Sequence, residues 1–123
     1  MAQLKSISLA SALLVAGLTL SACGSGAATA NARLACKQVT VALATQKKSE
    51  APGLSTAQVD ALQSLALAQL QKASPFAATA TTSDGSWNAL QTAISETKRV
   101  PLKYMTASLT RLCQIANSDT PYL

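Results

Sequence analysis

Two cysteines constrain this 123-residue chain more than any other feature, because each stands in a row of apolar residues spaced for one face of a helix. Cys36 falls in line with Ala32, Val39 and Leu43, and Cys113 with Leu109, Leu112 and Ala116. The first lies near the start of the earliest helical stretch beyond residue 30 and the second near the end of the last. A bond between them requires those two helices to lie side by side and antiparallel, an arrangement that an up-down four-helix bundle supplies without strain. The length admits one small domain. Its 25 alanines and 18 leucines are strong helix formers, so the expected fold class is all-α: a small up-down four-helix bundle stapled by one disulfide.

Whether the thiols oxidise depends on compartment, and the first residues bear on that. Residues 1–22 carry Lys5, an apolar run over 7–20, and then Leu20-Ser21-Ala22-Cys23. That ending resembles the lipobox of bacterial lipoproteins, in which an aliphatic residue and two small ones precede a cysteine. The resemblance implies a diacylglyceryl group on the Cys23 thiol, cleavage before it, and a cell-membrane protein facing away from the cytoplasm. Two acyl chains anchor stably where one is marginal. Two other readings stay open. An uncleaved anchor would use 6–22, at the lower limit for a bilayer span, and an ordinary secretory cut could fall after Ala28-Thr29-Ala30. In each case Cys36 and Cys113 remain as a pair outside the cytoplasm, where a disulfide is expected. Closing a loop of roughly 78 residues should then stabilise the fold by ~4.5 kcal/mol on a chain-entropy argument.

Small uncharged residues at 23–30 read as a flexible tether reaching at most about 25 Å. The helical domain should span 31–118 and leave a tail at 119–123. A first helix is expected over 31–48, with Asn31 as N-cap. Ser55-Thr56-Ala57-Gln58 fits a capping box for a second, whose buried stripe is Val59, Leu62, Ala66, Leu70 and Ala73, widened by Leu65 and Leu67. Residues 74–80 suggest a short helical turn, followed by a loop over 81–86 with a turn at Asp84-Gly85. A third helix opens near Ser86, buries Trp87, Leu90, Ala93 and Ile94, and fades near Arg99, because Val100 precedes Pro101. Pro101 then opens a fourth, ending at Asn117. The alternative is one Pro-kinked helix over 86–117, which makes a three-helix bundle.

Chemistry-bearing patterns are sparse. There is no histidine, which removes the commonest general base and metal ligand. Glu50, Asp60, Asp84, Glu96 and Asp119 are scattered, and no metal or cofactor is expected. Ser95-Glu96-Thr97-Lys98 has the Ser-x-x-Lys spacing of penicillin-recognising enzymes, but no Lys-Thr-Gly follows and the chain is too short for their domains; a solvated helix end accounts for it. From Cys23 onward the chain holds nine Lys and Arg against five Asp and Glu. Five of these cations, Lys47, Lys48, Lys98, Arg99 and Lys103, should collect at the bundle end opposite the disulfide. They either complement helix macrodipoles or form an electropositive tip for an anionic wall polymer or an acidic envelope protein. Nucleic acid is not an expected partner, since the aromatics are not interleaved with the charges.

Asp84-Gly85-Ser86-Trp87-Asn88-Ala89-Leu90, with Ser95-Glu96, Arg99-Val100-Pro101 and the flanking Ala-Cys and Leu-Cys helices, resembles small helical proteins of actinobacteria. The resemblance covers most of the chain after Cys23 and implies no particular activity. The expected function is that of a membrane-anchored envelope lipoprotein acting as a non-catalytic structural or interaction module. A carrier of a small apolar ligand or lipid is the alternative, and it would need a cavity among Leu62, Leu65, Leu90, Met105 and Leu109.

Overall fold

The structure is a computed structural model that describes residues 25–122. Residues 1–24, where the leader and lipobox are expected, and Leu123 lie outside the described residues. Those described fold into an all-helical bundle of α1 (Ser25–Ser49), α2 (Thr56–Gln71), α3 (Ser74–Ser83), α4 (Asn88–Glu96) and α5 (Leu102–Asn117). Helices α2 and α3 are two halves of one descending arm, so the architecture is a four-helix up-down bundle, and α1 packs against α2, α3 and α5.

Heptad-like spacing of small residues brings α1 and the α2–α3 arm together. Ala28, Ala32, Ala35, Val39, Ala42, Gln46 and Ser49 are all buried along α1. Ala66, Leu70, Ala73, Ala77 and Ala80 are their counterparts on the arm. Alternating steps of three and four keep one seam facing its partner, and methyl side chains let two backbones approach closely. The seam keeps its register across the break between α2 and α3. Pro75 lacks an N–H for the preceding turn, and the chain there tightens, with Lys72 N–H donating to Gln69 O at 3.2 Å and Ala73 N–H to Leu70 O at 2.9 Å.

The segment 25–30, expected as part of a tether, is instead the opening of α1, and Asn31 is no cap but lies inside the helix, donating from Nδ2 to Ala27 O at 3.0 Å. Alanine is the best helix former, and Ala28 is fully buried on the side of α1 that meets α3. Helix α3 likewise runs further than its threonines suggested. Thr79, Thr81, Thr82 and Ser83 each donate to the carbonyl four residues earlier, at 2.9–3.1 Å, which satisfies the hydroxyls within the helix. Asp84 then ends it and accepts the Ser86 N–H at 2.9 Å, opening a short 3₁₀ turn, Gly85–Trp87. That backbone donor holds the Asp84 carboxyl below its ordinary pKa.

The capping box at Ser55 forms as expected, with Gln58 N–H donating to Ser55 Oγ at 3.2 Å and Ser55 N–H to Gln58 Oε1 at 2.8 Å. Ser55→Ala should lower the unfolding free energy by about 1 kcal/mol, read as a urea midpoint shift. Leu65 and Leu67 do not widen the buried stripe. Leu65 is 49% exposed and Leu67 36%. Helix α2 lies at the edge of the bundle and packs chiefly on α1 through its alanine face, so no further element covers them.

Helices α4 and α5 are separate and antiparallel, not one kinked helix. Trp87, immediately before α4, meets Tyr122 beyond the end of α5 edge-on, with ring centroids 4.7 Å apart. The tail is therefore packed down. Arg33 fastens the same end, donating from Nε to Ala116 O at 2.8 Å and from Nη2 to Ser118 O at 3.0 Å, so it caps the α5 carbonyls. The Cys36–Cys113 disulfide joins α1 to α5, with Cα atoms 5.4 Å apart at a sequence separation of 77.

Candidate functional site

At the end of the bundle where α1 stops and α5 begins, the Pro-directed turn between α4 and α5 folds against α1 and α2. Helix α4 ends at Glu96, three residues short of the expected end. Thr97 turns back, its hydroxyl donating to Ile94 O at 2.6 Å, and Arg99 and Val100 both donate their N–H to Glu96 O at 2.9 Å. This carries Lys98 and Arg99 off the helix and onto a turn. Pro101, with φ −52° and ψ 136°, then launches α5.

The turn and the two neighbouring helices enclose an open cleft of about 440 Å³. Gln46 of α1 and Gln63 and Leu67 of α2 form one wall; Thr97, Lys98, Arg99, Val100, Pro101, Leu102 and Lys103 form the other. Gln46 is only 4% exposed. Its carboxamide is held loosely, Nε2 donating to Glu50 Oε1 at 3.3 Å. Arg99 is paired with Glu96 through Nη2 and Oε1, while the Lys103 ammonium sits 4.8 Å from the ring of Tyr104, itself 66% exposed. The first turn of α5 has no acidic residue and no side-chain cap, so the positive end of a 16-residue helix adds to the field of the three cations.

Three of the five expected tip residues, Lys98, Arg99 and Lys103, thus converge on one cleft. Lys47 and Lys48 do not join them. Both lie in the last turn of α1, where they complement its dipole, and Lys47 borders a separate depression beside Glu50, Thr106 and Thr110. No family model, curated protein or solved structure matches this chain. What the site does must therefore be argued from its own residues.

Gln46 and Gln63 were not singled out from sequence. A glutamine at a buried register position of an otherwise small and apolar stripe, as Gln46 is, was the available signal. Ser95 is exposed on α4 and meets Lys98 through the backbone, Lys98 N–H donating to Ser95 O at 3.2 Å. Of the five residues of the carrier alternative, Leu90 and Leu109 are fully buried, whereas Leu65 is exposed. Among the described residues there is no group of three or more His, Cys, Asp and Glu able to hold a metal ion. Among them, too, no helix is long and apolar enough to cross a membrane.

Proposed function

We propose that this chain is a non-catalytic, lipid-anchored interaction module of the cell envelope whose cleft end meets an anionic wall polymer. The observation that carries this reading is the gathering of Lys98, Arg99 and Lys103 around one cleft at the end of the bundle away from the start of α1. The lipobox pattern at Cys23 supports the anchor, and Ser25, where α1 starts, follows it by two residues. A helix of 25 residues is about 37 Å long, so a chain held at Cys23 would carry its basic end outward by roughly that distance. Exposed charges act over about 8 Å at physiological salt, so contact at the tip is set locally by these three cations.

The test compares two variants on isolated cell wall. Changing Lys98, Arg99 and Lys103 together to Gln should lower retention at least tenfold. Changing Lys47 and Lys48 to Gln should leave it within twofold. Equal retention of all three proteins would discard the binding end. Loss of radiolabelled acyl-chain incorporation in Cys23→Ser, with loss of the protein from the membrane fraction, would support the anchor; a Cys23→Ser protein that still incorporates the label would remove it.

A further inference from the structure

We infer that the cleft between the α1–α2 wall and the α4–α5 turn is a site for a phosphorylated sugar or polyol unit. This rests on the reading of the tip as the binding end, and it names the chemistry that end recognises. The cleft has two unlike walls. One presents the carboxamides of Gln46 and Gln63, groups that both donate and accept and so suit a row of hydroxyls. The other presents Lys98 and Lys103 with the uncapped start of α5, which suit an anion with several acceptor oxygens. Arg99, engaged by Glu96, has part of its charge offset, so the two ammonium groups carry the phosphate contact.

Two features favour a unit carrying both phosphate and hydroxyls over a bare anion. The Gln46 side chain is 4% exposed and its carboxamide makes one hydrogen bond, from Nε2 to Glu50, which leaves acceptor capacity for a ligand hydroxyl. Leu67, Val100, Pro101 and Leu102 supply apolar surface between these polar groups, against which the carbon skeleton of a sugar or polyol can lie. A volume of about 440 Å³ lies in the range of small-molecule sites and accommodates a single phosphorylated monosaccharide.

The experiment is a titration of the full chain, purified in detergent and labelled with ¹⁵N, with glucose 6-phosphate, glucose, glucuronate and inorganic phosphate. Glucose 6-phosphate should shift the side-chain amides of Gln46 and Gln63 and the backbone amides of Lys98 and Lys103, with a Kd at least tenfold below those of the other three. Gln63→Ala and Lys103→Gln should each weaken it at least fivefold, while Lys37→Gln with Arg111→Gln, which removes more charge elsewhere, should leave it within twofold. No shift at these amides overturns the site. Inorganic phosphate binding as tightly overturns the hydroxyl wall, glucuronate as tightly overturns phosphate preference, and glucose as tightly overturns the anion contact. Binding of anionic phosphatidylglycerol vesicles through the same amides, in place of the sugar phosphate, would assign the cleft to a lipid surface and overturn the sugar. The two readings fail separately. Loss of sugar-phosphate binding with wall retention still dependent on Lys98, Arg99 and Lys103 rejects only this ligand, whereas sugar-phosphate binding with retention indifferent to them rejects the wall-binding role.

Discussion

Replacing Cys36 and Cys113 together with alanine lowers the unfolding free energy by ~4.5 kcal/mol, most of it through the freedom returned to the unfolded chain. The bond closes 77 residues of sequence, nearly the whole of the described domain. A small domain has about 5–15 kcal/mol in total, so the loss takes a large share of the margin and lowers Tm by on the order of 20 °C. Urea denaturation followed by far-ultraviolet circular dichroism, with and without reductant on the unmodified chain, measures it. A change below about 1 kcal/mol would mean that the α1–α5 pairing persists in the unfolded state or that the sulfurs are not bonded.

The second large effect is at Trp87. Its side chain is 1% exposed, and it is the largest fully buried residue in a core otherwise made mainly of alanine. Trp87→Ala should cost about 4 kcal/mol, since neighbouring methyl groups cannot collapse into the space. Trp87→Phe should cost much less, about 1 kcal/mol, because the indole Nε1–H is buried with no hydrogen-bond partner among the described residues and its removal recovers part of the lost packing. Chemical denaturation of both variants separates the terms. Equal losses in the two would show that the N–H is satisfied in solution and that volume alone does not decide the site.

Much of the bundle was legible because its signals are local or covalent. The stripe of Trp87, Leu90, Ala93 and Ile94 is buried as its spacing predicts, the capping box at Ser55 closes, and the cysteine register fixes α1 against α5. The misread parts share one cause. Segment 25–30 and residues 81–83 are small or polar residues whose helical state depends on their surroundings: Ala28 reads as tether until the facing helix is placed, and Thr81, Thr82 and Ser83 read as loop until their hydroxyls find carbonyls four residues earlier. Leu65 and Leu67 err the other way: their spacing suits a core, but the bundle provides no element to cover them.

The cleft was half legible. Charge placed Lys98, Arg99 and Lys103 at one end because the topology followed from the cysteines. That Lys98 and Arg99 line a cleft from which Lys47 and Lys48 are absent depended on where α4 stops. The constraint on Val100 before Pro101 placed the end of this helix near Arg99, whereas the Thr97 hydroxyl bond to Ile94 O marks its end at Glu96, and those three residues of difference move Lys98 and Arg99 from a helix end to a cleft wall. The carboxamide wall was invisible because Gln63 is an unremarkable position on α2 until α1 brings Gln46 beside it.

In intact cells, a photoreactive phenylalanine analogue in place of the exposed Tyr104, beside Lys103 at the cleft end, tests the outward-facing tip most directly. Illumination should yield adducts with wall polymer from this position and few or none from the same analogue at Arg111, further along α5. Adducts of equal yield from both positions, or none from Tyr104, would contradict it.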